Sequence, residues 1–182
     1  ARVILEMGYN VSGSDLVPSG LTKSLESMGA TIFEEHRPSN LLRDTELLVY
    51  SSSVSKGKPE LVEARKRKIR IAHRAEMLGE IFNNKKGIAV TGTHGKTTTT
   101  SLVSVMLEGA GLDPTVIIGG EVDYFKGNAK LGEGAYAVVE ADESDSSFLN
   151  LVPFYAVITN IEMEHLDHFK DLGHIKKSYR AF

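Results

Sequence analysis

The segment Gly87-Ile88-Ala89-Val90-Thr91-Gly92-Thr93-His94-Gly95-Lys96-Thr97-Thr98 passes from an apolar run through a glycine-bearing turn into the helix-like Ser101-Leu102-Val103-Ser104-Val105-Met106-Leu107. A strand feeding a helix through so short a turn leaves few architectures, because the helix must fold back onto the sheet that holds the strand. The same turn carries a chemistry. Its N–H groups and the helix N-terminus both present positive partial charge, which suits phosphate. Lys96 adds a full charge that can reach outer phosphates, and Thr97 a hydroxyl for a Mg²⁺ ion held between them. The general phosphate-loop pattern spaces its glycines more widely, whereas Gly92 and Gly95 enclose only Thr93 and His94. A solvated lysine at a helix start is the plain alternative, and the order of strand, turn and helix favours a nucleotide.

Around this segment β-like and helix-like runs alternate almost throughout, the pattern of α/β units with parallel sheets. Strands are expected over 10–14, 31–34, 46–51, 69–72, 87–91, 115–118, 136–141 and 155–160, and helices over 21–28, 59–66, 75–82, 96–109 and 172–182. Gly8, Gly29 and Gly111 stand where helix C-caps place them. The polar stretch Asn83-Asn84-Lys85-Lys86 separates two such series, so the expected domains are 1–84 and 85–182. In the first, a short strand ends in Ser14-Asp15, and an acid at such a tip can reach a ribose in a dinucleotide-type fold. It can equally be a turn or cap residue.

Composition removes several function classes. With 41% hydrophobic and 25% charged residues the chain is an ordinary globular sequence, and no apolar stretch is long enough to insert into a membrane. A formal charge of -3 argues against nucleic acid, and Arg65-Lys66-Arg67-Lys68 reads as the solvated C-terminal end of a helix. No cysteine is present, which excludes disulfides, thiolate metal sites and cysteine nucleophiles, and makes the cytoplasm the natural compartment. The opening Ala1-Arg2-Val3-Ile4-Leu5-Glu6-Met7-Gly8 is no signal peptide, and Ser178-Tyr179-Arg180-Ala181-Phe182 stops in mid-helix, so the expectation is a piece cut at both ends.

Two further strand ends carry polar chemistry. Glu140, Asp142, Glu143 and Asp145 follow Val138-Val139, and ligands of open α/β sheets bind at the carboxyl ends of strands. Carboxylates beside a polyphosphate repel it unless a cation intervenes, so the pairing implies Mg²⁺ with Thr97 and Glu140 as ligands. Asp145 is expected to cap the segment that begins at Ser146. The strand 155–160 ends in Asn160 and is followed by Glu162, Glu164, His165 and Asp167; His165 is expected to bind a second metal or a phosphoryl oxygen, with Asp167 fixing its tautomer. His36, His168 and His174 are expected to be surface residues.

Gly92-Thr93-His94-Gly95-Lys96-Thr97-Thr98, Glu140-Ala141-Asp142-Glu143-Ser144-Asp145, and Thr159-Asn160-Ile161-Glu162 followed by His165-Leu166-Asp167 together resemble the Mur ligase family, the ATP-dependent amide ligases of peptidoglycan precursor synthesis. The close glycine spacing is that family's own form. Gly13-Ser14-Asp15 and His73-Arg74-Ala75-Glu76-Met77 are most similar to the branch that joins L-alanine to UDP-N-acetylmuramate.

The resemblance implies a Rossmann-like UDP-sugar domain incomplete at its start, a parallel-sheet ATPase domain incomplete at its end, and a ligase domain absent from this chain. It implies ATP and Mg²⁺ as cofactors, held by Gly92, Thr93, His94, Gly95, Lys96, Thr97, Thr98 and Asn160. Lys96, Glu140 and His165 would be catalytic, the metal ligands being Thr97, Glu140 and His165. Asp15, Ser51, Ser52, His73, Arg74, His94, Asn128 and Ser144 would face the substrate. A homodimer is compatible with the sequence. The rival implied activities are a sibling ligase that recycles murein tripeptide, a folylpolyglutamate synthase, and a nucleotide-binding piece without ligase activity.

Overall fold

The computed structural model describes residues 1–144, 146–164 and 169–182 of the chain. It forms two compact units, Ala1–Met77 and Leu78–Phe182.

The first unit contains α1 (Arg2–Glu6), β1 (Ser12–Ser14), α2 (Gly20–Ser27), β2 (Thr31–Phe33), β3 (Leu47–Tyr50), α3 (Pro59–Lys66) and β4 (Arg70–His73). β1 pairs in parallel with β2, and β3 with β4, as two separate two-stranded sheets. Local signals start the helices. Ser19 and Thr22 form a reciprocal capping box at α2, satisfying donors that the first turn leaves over. At α3, Pro59 sits in the first turn beside Glu60, while Arg65 and Lys66 occupy the last, each charge opposing the helix dipole.

The expected solvation of the basic run holds only in part. Arg67 donates to the carbonyls of Leu41 and Leu42 at 2.8 Å and of Arg43 at 3.0 Å, and Arg65 to Lys56 O at 2.8 Å. A guanidinium fork can satisfy several carbonyls at once, so these two arginines fasten loops to the helix end.

Helix α4 (Arg74–Phe82) leads out of β4 and into the second unit, where Leu78 and Phe82 join the core. Asn83 then donates to Asn150 O at 3.1 Å and accepts from Val152 N at 2.8 Å.

The second unit continues with β5 (Lys86–Thr91), α5 (Lys96–Gly109), β6 (Thr115–Val122), β7 (Gly127–Lys130), β8 (Tyr136–Glu140), β9 (Tyr155–Ile158) and α6 (Leu172–Ala181). The strands form one sheet in the order β7-β6-β8-β5-β9, parallel except for β7. β5 and β8 are central, which explains their unbroken apolar runs: a strand covered on both faces has no polar side to show. Phe82, Ala89, Val139, Phe148, Phe169, Ile175 and Tyr179 form the main core, with α6 capped by Asp171, whose side chain accepts from His174 N at 2.8 Å.

Register sets the position of the site. Val90 lies opposite Glu140 and Thr91 opposite Ile158, so the ends of β5, β8 and β9 deliver the turn at 92–95, the acids at 140–143 and Thr159-Asn160 to one edge. Among the described residues, no helix is long and apolar enough to cross a membrane.

Candidate functional site

The turn between β5 and α5 depends on two glycines in backbone conformations that side chains rarely adopt, Gly92 at φ 130° and Gly95 at φ 80°. Gly95 is the N-cap of α5, so the helix's first N–H groups open toward the turn. The turn is held from the end of β9. His94 N donates to Asn160 Oδ1 at 2.9 Å, and Asn160 Nδ2 donates back to His94 O at 3.0 Å. Thr93 N donates to Asn160 O at 3.1 Å, Thr159 Oγ1 to His94 O at 2.6 Å, and Glu162 N to Thr93 Oγ1 at 2.9 Å. These bonds engage the side chain and carbonyl of Asn160 with the turn itself.

Lys96, the first residue of α5, sends its ammonium back beneath the turn. Nζ donates to Gly92 O at 2.6 Å, Thr93 O at 3.3 Å and Glu143 Oε1 at 2.8 Å. The Glu143 side chain is only 4% exposed, and its other oxygen accepts from Thr91 Oγ1 at 3.3 Å. Burial, followed by the Glu143 charge, pushes the Tyr179 phenol up to about 12.

Thr97 turns the other way. Its hydroxyl donates to Glu140 Oε1 at 3.1 Å, while Glu140 Oε2 accepts from Gly119 N at 2.8 Å. A Cβ at Gly119 would come within 2.7 Å of Glu140 Oε1, and one at Gly120 within 3.3 Å of Thr97 Cγ2. The glycine pair in β6 therefore makes room for both side chains. Among the described residues no cluster of three or more His, Asp or Glu side chains is poised for a metal. The hydroxyl–carboxylate pair does fit magnesium, a hard ion that takes oxygen ligands and commonly keeps waters and substrate phosphates in its remaining positions.

The other expected site residues fall into distinct settings. His94 is 62% exposed, with Nε2 3.8 Å from Glu162 and 4.0 Å from Glu164. Thr98 is exposed, Asn128 is half-buried on β7, and half-buried Ser144 donates its N–H to Asp142 Oδ1 at 2.9 Å. His165, Asp167, His168 and Asp145 lie outside the described residues.

In the first unit, Asp15 accepts from Val17 N at 3.1 Å, an Asx-type turn immediately after β1. Ser52, His73 and Arg74 come from the ends of β3 and β4 and the start of α4. Ser52 Oγ lies 3.1 Å from His73 Nε2, and His73 Nδ1 accepts from Ala75 N at 3.3 Å. An accepting Nδ1 puts the ring proton on Nε2, which then donates to Ser52. Ser51 and Ser53 share a hydroxyl bond at 2.8 Å, and Arg74 is exposed.

His36 is not the surface residue its sequence setting implies. Its Nδ1 is 3.0 Å from Ser14 Oγ and 3.2 Å from Glu60 Oε1, which also accepts from Ser14 at 2.9 Å and Asn40 at 3.2 Å. Burial alone would raise the Glu60 pKa. The backbone N–H of Glu60 and these three side chains outweigh it and hold the carboxyl below its usual range. His174, by contrast, is exposed as expected.

Gly119 and Gly120 enter the site's geometry without having been singled out from sequence, while Glu143 and Thr159, named there only within the acid run and the family motif, had been given no role of their own. The glycine pair directly after the strand expected over 115–118 was the available signal, since glycines beside or within a strand often mark a close approach.

Residues 1–96 match the profile described as Mur ligase family, catalytic domain, and residues 90–182 the Mur ligase middle domain. The chain belongs to the Mur ligase family. Among curated relatives, it is 52% identical to the UDP-N-acetylmuramate--L-alanine ligases of Myxococcus xanthus and Aquifex aeolicus, over its whole length. It spans 38% and 40% of those proteins, well short of their full length. Among solved structures, the UDP-N-acetylmuramate-alanine ligase of Thermotoga maritima superposes with a TM-score of 0.90 at 32% identity, over 98% of this chain and 42% of that one. The UDP-N-acetylmuramate:L-alanyl-gamma-D-glutamyl-meso-diaminopimelate ligase of Neisseria meningitides gives 0.87 at 29% identity, over 100% and 62%. The Mur ligase fold thus accounts for both units.

Proposed function

We propose that this chain supplies the sugar-nucleotide and ATP-binding domains, 1–84 and 85–182, of a cytoplasmic ligase joining L-alanine to UDP-N-acetylmuramate. The observation that carries the reading is the cradle at 92–97, with Lys96 beneath it and the Thr97–Glu140 pair, 3.1 Å apart, at its mouth. The 52% identity to L-alanine ligases supports the choice of substrates.

In this reading the muramyl carboxylate attacks the γ-phosphorus of ATP. The new C–O–P linkage forms as the bond from γ-phosphorus to the β-bridging oxygen breaks, giving an acyl phosphate and ADP. The L-alanine amine then attacks the acyl carbon, loses a proton and expels phosphate. Both partners in the first step are anions, so the protein's task is charge neutralisation and alignment. The turn's N–H groups and Lys96 receive the polyphosphate. One ion pair at about 4 Å and an effective dielectric near 20 contributes roughly 4 kcal/mol.

Thr97 and Glu140 would hold Mg²⁺, which when bound neutralises charge on the phosphoryl oxygens. His94, exposed at the turn, would meet the muramyl carboxylate or acyl phosphate, with Asn128 and Ser144 on the substrate side. Asp15, Ser51, Ser52, His73 and Arg74 would receive the uridine diphosphate, and His165 would serve a second metal.

The test is phosphate release by the full-length ligase with Mg-ATP and UDP-N-acetylmuramate, comparing L-alanine with L-alanyl-γ-D-glutamyl-meso-diaminopimelate. Release with L-alanine is expected. Preference for the tripeptide would move the protein to the recycling activity, which the 0.87 structural likeness keeps as the second reading, and release with neither would refute ligation.

A further inference from the structure

Lys96 has three ammonium protons, and the structure gives each an acceptor: Gly92 O, Thr93 O and Glu143 Oε1. Two of these acceptors belong to the cradle itself. The third, Glu143, is an anion with a 4% exposed side chain, held from behind by Thr91. It is distinct from Glu140, which faces Thr97 and Gly119. A polyphosphate entering the cradle must therefore compete with a buried carboxylate for the lysine on which its binding depends.

We propose that Glu143 is a positioning residue that stows Lys96 beneath the cradle and surrenders it to the incoming phosphates, thereby weakening nucleotide binding. The inference rests on the ATP-binding reading above. Three features support it. The Lys96–Glu143 contact, at 2.8 Å, is as short as a charge-assisted bond should be. The Lys96 side chain is 18% exposed, so solvent does little to loosen the pair. Thr91, buried at the end of β5, fixes the carboxylate's position, so the ammonium is the partner free to change acceptors.

Replacing Glu143 with glutamine keeps the shape and an oxygen acceptor while removing the competing charge. A carboxylate's repulsion of phosphate is lost at the same time, both changes acting in one direction. The expected result for Glu143→Gln in the full-length ligase is at least about tenfold tighter equilibrium binding of ADP and ATP, with adenosine affinity unchanged. The KM for ATP should fall, and kcat should fall with it because Lys96 loses the partner that aims it. Glu143→Asp, which keeps the charge, should return nucleotide affinity toward that of the parent.

Lys96→Ala separates the two levels of the argument. If the parent protein binds no Mg-ATP, or Lys96→Ala binds it as well as the parent does, the nucleotide reading fails and this inference fails with it. If binding depends on Lys96 but Glu143→Gln, folded by circular dichroism and melting temperature, binds ADP no tighter than the parent, only the role of Glu143 is overturned. Should Glu143→Gln prove unstable, the Glu143→Asp variant and the salt dependence of ADP binding by the parent take its place: the charge-retaining variant must bind ADP as the parent does, and any large departure refutes the assignment.

Discussion

Gly92 and Gly95 offer a controlled pair for testing what the cradle requires. Both have positive φ, but their surroundings differ: a Cβ at Gly95 would meet nothing within 4 Å, while one at Gly92 would land on Thr159 Oγ1 and approach Asn160 O at 2.8 Å and Asn160 N at 3.0 Å. Gly95→Ala therefore incurs only left-handed strain, on the order of 1–2 kcal/mol. Gly92→Ala incurs strain in a region still less open to side chains, plus overpacking of about 1–3 kcal/mol. It also pushes away Asn160, whose bonds to Thr93 and His94 contribute about 1 kcal/mol each. Taking the low end of each range, and the loss of one bond's worth at each of Thr93 and His94, the sum is about 4 kcal/mol for Gly92→Ala against about 1 kcal/mol for Gly95→Ala. At roughly 4 °C per kcal/mol for a domain of this size, calorimetry should show losses of about 15 °C and about 5 °C. Equal losses, or a larger one at Gly95, would refute the claim that the close approach of the turn to Thr159-Asn160 governs the cradle.

Two further outcomes are expected. Glu140→Gln keeps the acceptor for Gly119 N but removes the charge, so it should raise the Mg²⁺ concentration needed for half-maximal phosphate release about tenfold or more while leaving melting temperature within a few degrees. For Glu60, whose folded pKa is depressed, the stabilisation is complete above its ordinary value of 4.5 and lost as pH falls through the lower folded value. Urea unfolding of Glu60→Gln should thus lose stability relative to the parent near pH 6, with the difference shrinking below pH 4.5; a constant difference across that range would count against the depressed carboxyl.

The elements legible in sequence are those specified by their own residues. β5 and α5 could be read because an apolar run, a glycine turn and a long helical stretch all lie within one segment, and α3 because Pro59, Glu60 and the closing basic residues mark both ends. β7 could not. Gly127-Asn128-Ala129-Lys130 has little strand character, and becomes a strand only through antiparallel pairing with β6 across an irregular register. β6 runs on to Val122, past its expected end at 118, and Gly119 and Gly120 in the added stretch leave room for Glu140 and Thr97.

The same distinction holds at the site. Thr97 and Glu140 could be paired from the general rule that strand ends face one crevice, and they do lie 3.1 Å apart. That Glu143 turns under the cradle while Glu140 faces its mouth depends on the backbone path after β8, which residue types in a row of acids do not encode. His36 departs from its sequence reading for a similar reason: its partners Ser14 and Glu60 lie 22 and 24 residues away.

The bonds from Asn160 to the turn also carry a consequence in time. They join residues 66 positions apart, so during synthesis Gly92 to Lys96 exist before the residues that hold their shape. At about 5–20 residues per second the delay is roughly 3–13 s. The turn at 92–95 is therefore coupled to the arrival of β9, and a nascent chain gains a finished cradle only after that strand has reached its place beside β5.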